Sequence, residues 1–229
     1  MGNPAEKIDQ TLLRPDSIFG DYTVAVRSCV QKSFKTICIN PFFVPLVSNL
    51  LKNHPTCPTV ITSVVSFPFG LDEIESKCDE ARHVLEHGAK EIDLVANLSA
   101  IKSHDFKRFQ DEIHAVREET QSYILKVILE VGVLQDDEIK WATDCLVREN
   151  VDFAKTSTGI NCKLEPAKTA YYVKLLKDHL VGSGVLVKAS GGIKTLKDFD
   201  LMISAGADRI GTSSGVEIVN EYYERGDKV

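Results

Sequence analysis

The chain has 229 residues, 43% apolar and 26% charged, with 33 acidic against 27 basic side chains and a formal net charge of −6. Such proportions suit a protein with an ordinary buried core and exclude collagen-like, coiled-coil and disordered classes. An isoelectric point near 5.6 removes the basic footprint of a nucleic-acid-binding chain, and the longest uncharged apolar run, residues 59–71, is well short of the roughly 20 residues of a membrane helix.

Short β-branched runs alternate with amphipathic stretches along almost the whole chain. Residues 7–13, 36–40 and 60–66 read as strands, each rich in Ile, Val, Leu or Thr and followed by turn or polar residues. Residues 72–86 then place Ile74, Cys78, Ala81 and Leu85 on one helical face, with Gly88 as a terminating glycine. A strand at 91–96 precedes a helix at 105–120, built on Phe106, Phe109, Ile113 and Val116. A strand at 124–130 precedes a helix at 136–148, whose acidic first turn suits the positive helix N-terminus. After the strand at 151–156, Pro166 stands where a helix-opening proline belongs. After the strand at 185–189, Thr195 and Asp198 approximate a capping box ahead of Phe199, Met202 and Ile203. The last strand is 209–211, with Tyr222 and Tyr223 in the helix that follows.

Eight strands in strict alternation with helices predict right-handed βαβ units and a parallel sheet. The expected fold is α/β, a (β/α)8 TIM barrel in a single domain over residues 1–229, near the short end for that architecture. An open doubly wound sheet is the alternative, but no G-x-G-x-x-G turn announces one.

Six cysteines (Cys29, Cys38, Cys57, Cys78, Cys145, Cys162) form no C-x-x-C pair, so reduced thiols are expected rather than a disulfide scaffold or a zinc site. With no signal-like N-terminus, the expected location is the cytoplasm. His83 and His87 lie four apart on a helix, but imidazoles also suit a helix C-terminus, and no metal or other cofactor is expected. Asp111-Glu112 and Glu118-Glu119 read as solvated helix faces, and Trp141 as core.

Parallel strands buried on both faces should be continuously apolar, yet several here carry ionisable residues. Asp9, Asp93, Lys126, Glu130, Lys155 and Lys188 all fall within or at the end of strand runs. With side chains alternating faces, Lys126 and Glu130 share one face, and Lys188 shares one with Leu186 and Ser190; Asp152 is out of phase with Lys155. The economical arrangement puts these six charges inside the barrel, where they must be paired or titrate abnormally. One reading is a structural ion network that fills the barrel. The other is catalytic, because Lys155 and Lys188 sit late in their strands, at the rim that carries barrel chemistry. A neighbouring cation and partial desolvation favour a neutral lysine amine, which attacks carbonyls, and a carboxylate such as Asp93 can move protons beside it.

Small-residue clusters follow the last strands, at Ser190-Gly191-Gly192 and Gly211-Thr212-Ser213-Ser214-Gly215, each ahead of a helix. Loops after barrel strands seven and eight are frequent phosphate sites, and Thr156-Ser157-Thr158-Gly159 offers a third loop. Each cluster also fits an ordinary turn; together they suggest a phosphorylated carbonyl substrate.

The ordered stretches Ile8-Asp9-Gln10-Thr11-Leu12-Leu13, Ser66-Phe67-Pro68-Phe69-Gly70, Glu91-Ile92-Asp93-Leu94-Val95, Lys126-Val127-Ile128-Leu129-Glu130, Asp152-Phe153-Ala154-Lys155-Thr156-Ser157-Thr158-Gly159 and Val187-Lys188-Ala189-Ser190-Gly191-Gly192-Ile193 resemble the deoxyribose-phosphate aldolase family over nearly the whole chain. The resemblance implies a metal-independent class I aldolase that reversibly cleaves 2-deoxy-D-ribose 5-phosphate to D-glyceraldehyde 3-phosphate and acetaldehyde. It implies Lys155 as the Schiff-base lysine, Lys188 as its activating neighbour, Asp93 as the proton-transfer acid, and Asp9 and Lys126 as supporting polar residues. It further implies Cys38 as a pocket thiol and Thr158, Gly159, Gly191, Gly192, Ser213 and Ser214 as substrate contacts, most of them around the phosphate. Family analogy suggests a homodimer with small phosphorylated sugars or aldehydes as its partners. Three departures from the family pattern stand out: Gln10 where many members have His, the sequence Ile160-Asn161-Cys162-Lys163 without the usual glycines or lysine, and an ending without a terminal tyrosine. Another Schiff-base lyase or transaldolase on the same barrel, and a barrel serving only as an interaction module, are the competing functions.

Overall fold

A computed structural model describes residues 2–226. Eight parallel strands close into a barrel in chain order, the first pairing with the last. The strands are β1 (Ile8–Leu12), β2 (Thr36–Ile39), β3 (Val60–Val65), β4 (Ala89–Val95), β5 (Ile124–Ile128), β6 (Phe153–Lys155), β7 (Leu186–Ser190) and β8 (Arg209–Thr212). Around them run α1 (Phe19–Lys32), α2 (Val44–Lys52), α3 (Ile74–Glu86), α4 (Leu98–Lys102), α5 (Phe106–Glu119), α6 (Asp136–Arg148), α7 (Pro166–His179), α8 (Leu196–Ser204) and α9 (Gly215–Gly226). Every strand expected from the sequence is present, its ends shifted by at most two residues. The reading of the chain's end without a terminal tyrosine falls on residues 227–229, outside the described part.

The main hydrophobic core is the layer between strands and helices. Ile92 and Leu94 of β4, Leu125 and Val127 of β5, and Val187 and Ala189 of β7 are wholly buried in it. The amphipathic faces of α3, α5 and α6 supply Ala81, Phe109, Ile113 and Leu146. Strand alternation then sends Asp93, Lys126 and Lys188 the other way, into the barrel. The helix ends follow the sequence signals: Thr195 accepts from Asp198 N–H at 3.1 Å while Asp198 accepts from Thr195 N–H at 3.0 Å, and Pro166 opens α7.

Two expectations need correction. Glu112 is buried, not solvated, because it shares the inward face of α5 with Phe109, Ile113 and Val116. It pairs at 2.8 Å with Lys77, which is also fully buried and donates to the carbonyls of Gly70 and Val95. Glu130 does not join Lys126 inside the barrel. β5 ends at Ile128, and Glu130 has a left-handed backbone (φ 51°), which breaks the period-two alternation on which the expectation rested.

Candidate active site

The ionisable side chains of β1, β4, β5, β6, β7 and β8 meet in the barrel interior. Asp93 is the hub. Its Oδ1 accepts from Lys126 Nζ at 2.9 Å, and its Oδ2 from Lys155 Nζ at 2.6 Å and Lys188 Nζ at 2.7 Å. Lys188 also reaches Asp9 Oδ2 at 2.5 Å, and Lys126 reaches Glu91 Oε2 at 2.6 Å. The register explains the convergence, since Asp93 stands opposite Lys126 across β4 and β5, and Lys155 opposite Lys188 across β6 and β7. Gly211 of β8 leaves the space that Lys188 occupies: a Cβ there would come within 3.0 Å of Lys188 Cε.

Sequence reasoning missed two members of this cluster. Arg209 donates to Asp9 Oδ1 at 2.7 Å and lies 3.3 Å from Glu91 Oε2, with its guanidinium over the Phe153 ring. Both residues carried the same signal as the others. Glu91 is two residues from Asp93 and therefore on its face, and Arg209 opens a strand run, but each was passed over as a strand boundary.

Burial alone would raise the Asp93 carboxyl, but Lys126, Lys155 and Lys188 outweigh it and hold Asp93 well below the usual carboxylate range. Burial acts in the same way on Asp9, and Lys188, Lys126 and Arg209 again lower it. For Lys188, burial favours the neutral amine, yet Asp9 and Asp93 overcome it and keep the ammonium above its ordinary range. Cys38 lies beneath the same hub, with Sγ 3.9 Å from Asp93 Oδ2. Burial, reinforced by Asp93, pushes its thiol up to about 11.

Above the cluster, at the C-terminal ends of the strands, opens a cavity of about 780 Å³. Of the ion cluster, Lys155 alone among the described residues lines it, together with Thr158, Gly159, Gly191, Gly192 and Ser213. The loops after β6 and β7 touch here. A Cβ on Gly159 would lie 3.5 Å from the Gly191 Cα, and both residues have left-handed φ values, +77° and +94°. Ser214 is not part of the cavity wall, and its N–H is taken by the Thr212 hydroxyl at 2.9 Å. Gln10 donates to the Ser213 carbonyl at 3.1 Å, so this glutamine ties β1 to the loop after β8. His83 and His87 lie with their rings tilted against each other at the C-terminal end of α3, away from the cavity, and among the described residues no cluster of three His, Cys, Asp or Glu side chains could hold a metal.

Three lysines sharing one carboxylate, one of them facing a cavity edged by glycine loops, suit a reaction in which an amine bonds to a carbonyl and a neighbouring acid moves protons. Comparison with known proteins decides the family, since a model for DeoC/LacD family aldolases matches residues 5–221. The chain belongs to the DeoC/LacD aldolase family. Among its curated relatives is a deoxyribose-phosphate aldolase of Finegoldia magna, 40% identical over 93% of this chain and 96% of that one. Among solved structures, an aldolase designated QR15 superposes with a TM-score of 0.91 at 35% identity, covering all of both chains. A deoxyribose phosphate aldolase from Aeropyrum pernix, described as tetrameric, superposes at 0.87 with 32% identity over 96% of this chain and 91% of that one. The expected barrel and family are thus borne out, and in this DeoC/LacD aldolase Lys155 and the glycine loops occupy the C-terminal strand ends where barrel enzymes carry their chemistry.

Proposed function

We propose that this aldolase cleaves 2-deoxy-D-ribose 5-phosphate reversibly to D-glyceraldehyde 3-phosphate and acetaldehyde through an imine on Lys155. The observation that carries the reading is that Lys155 faces the cavity while its Nζ sits 2.6 Å from Asp93, which Lys188 shares. The connected network sets four cations (Lys126, Lys155, Lys188, Arg209) against three carboxylates (Asp9, Glu91, Asp93). Within this network the lysines differ in how firmly carboxylates hold them. Lys126 and Lys188 each contact at least two carboxylates, and Arg209 stays protonated in any case. Lys155, with one carboxylate and access to the cavity, is the group free to react.

The neutral amine of Lys155 adds to C1 of the open-chain sugar, and loss of water gives the imine. Removal of the proton from the C3 hydroxyl breaks the C2–C3 bond. Its electron pair passes into the protonated imine to form an enamine, and glyceraldehyde 3-phosphate leaves. Protonation at C2 and hydrolysis release acetaldehyde and restore Lys155. Asp93 is placed to move these protons, Lys188 is the fixed cation beside it, and Asp9, Glu91, Lys126 and Arg209 hold that pair in register. Cys38, expected as a pocket thiol, instead lies buried beneath Asp93 and does not line the cavity. The phosphoryl group lies against Gly159, Gly191, Gly192 and Ser213 with Thr158 beside them, where backbone N–H groups of small-residue loops favour an anion.

We place the enzyme in the cytoplasm, with its six unpaired cysteines reduced, and as a homodimer. The test is incubation with 2-deoxy-D-ribose 5-phosphate in the presence of a chelator. Equimolar acetaldehyde and glyceraldehyde 3-phosphate are expected; no cleavage, or cleavage abolished by the chelator, overturns the reading.

A further inference from the structure

Glu130 lies two residues past β5 and feels the charge of Lys155 but makes no ion pair with the cluster among the described residues. Its left-handed backbone, uncommon outside glycine, turns the carboxylate onto the segment that follows β6. There Oε2 gathers three donors: the Thr158 hydroxyl at 2.5 Å, the Thr158 N–H at 3.2 Å and the Asn161 amide at 3.4 Å. The Thr158 hydroxyl oxygen in turn accepts the N–H groups of Ile160 and Asn161, each at 3.1 Å. The Asn161 amide also donates to the Pro68 carbonyl, at 2.6 Å, in the segment after β3. One buried carboxylate thus fastens three segments together: the end of β5, the turn after β6 and the turn after β3.

The turn it fastens is the one that carries Gly159 against Gly191. Thr158, Gly159 and Ile160 all line the cavity. Residue 160 is an isoleucine, so next to Gly159 there is no cationic side chain to hold an anion. Recognition by this turn then depends on where the Gly159 N–H points, since the N–H groups of Thr158, Ile160 and Asn161 are already engaged within it. A turn whose own donors converge on a single charged oxygen keeps that shape without needing the substrate to impose it. Glu130 itself is fully buried, and its second oxygen, Oε1, has no hydrogen-bond partner among the described residues.

We propose that Glu130, with Asn161 as its second anchor, is a positioning residue for the phosphoryl end of the substrate. It fixes the 158–161 turn in the shape that presents Gly159 to the anion and has no role in the chemistry at Lys155. The proposal rests on the reading that the substrate is phosphorylated and reacts at Lys155, and the experiment separates the two. Asn161 is exposed, so Asn161→Ala spares the core. Glu130→Gln keeps the size of the side chain while removing the charge.

For each variant two quantities are measured: KM and kcat for 2-deoxy-D-ribose 5-phosphate, and the rate of borohydride trapping of acetaldehyde, which has no phosphate. Losing a hydrogen bond to a charged acceptor should raise KM for the sugar phosphate about tenfold. kcat and the acetaldehyde trapping rate should stay within about twofold of the parent. An unchanged KM in both variants overturns the proposal, as does a trapping rate that falls in step with the rise in KM. Failure of the parent enzyme to trap acetaldehyde at Lys155 would instead overturn the proposed function.

Discussion

Among the described residues, a buried lysine is paired with a buried carboxylate in two separate places. Between α3 and α5, Lys77 has three acceptors, the Gly70 and Val95 carbonyls and Glu112, while Glu112 also accepts from Asn97 N–H. Every donor of the ammonium is used, and neither Lys77 nor Glu112 lines the cavity at the strand ends. In the barrel, three lysines and an arginine compete for three carboxylates, and one of the lysines faces a cavity of about 780 Å³. Burial of charge is common to both. Shared acceptors, an excess of cations and access to a cavity are not, and these separate chemistry from architecture.

The comparison is tested most severely by removing one lysine from each set. Lys155→Met should lower turnover on the order of 10⁴-fold or more, since it removes the nucleophile itself, and stability should fall far less than activity. Lys77→Met should do the reverse. It leaves Glu112 buried without its cation, a loss of about 3–5 kcal/mol, readable as a lower urea midpoint, with kcat of the folded enzyme unchanged. A large fall in kcat for Lys77→Met would mean that the α3–α5 pair is coupled to the reaction after all.

Lys188→Met sharpens the picture within the barrel. Without this cation on Asp93 and Asp9, the pH profile of imine formation should move to higher pH as the rate falls; an unmoved profile would remove Lys188 from its assigned place. The smallest chemical effect is expected at Cys38. With its thiol pushed up to about 11, it is protonated at neutral pH and a poor nucleophile. Alkylation by iodoacetamide should be slow, and Cys38→Ala should retain turnover within about tenfold, judged against the much larger losses from removing catalytic groups.

The carboxylates of the cluster also set the acid limit of the fold. Asp9 and Asp93 are held below their ordinary value of 3.8, so their contribution to stability is present above that value and is lost as pH falls through their folded values. Lys188, held above 10.5, contributes below that value and loses its contribution only as pH rises through its folded value. Between about pH 4 and 10 these three groups keep their charges, so their contribution to the fold should be steady. Urea midpoints measured across that range for the parent and for a variant lacking Asp9 should differ by a constant amount. A difference that collapses by pH 5 contradicts the assignment.

Much of this was legible in the sequence. Strands carry their own signal in β-branched runs, and a charge placed inside such a run is conspicuous, which is why Asp93, Lys126, Lys155 and Lys188 were found. Glu91 and Arg209 escaped because a charge at the edge of a run looks like the edge of a strand, although period two from Asp93 already pointed to Glu91. Glu112 escaped for a similar reason: beside Asp111 it read as part of an acidic surface, whereas its spacing from Phe109 and Val116 puts it on the buried face. Glu130 could not be placed at all by alternation. A left-handed residue ends the pattern, and nothing in a glutamate announces that conformation. The phosphate loops were found as small-residue clusters, but the contact between Gly159 and Gly191 depends on the barrel bringing β6 and β7 together.

The most direct test of the central claim is borohydride reduction in the presence of acetaldehyde, followed by peptide mass spectrometry. A reduced two-carbon adduct on Lys155 alone is expected, abolished in Lys155→Met. A folded enzyme that forms no adduct, or one that carries it on Lys188 or Lys126 instead, would contradict the assignment of Lys155 as the reacting member of the buried cluster.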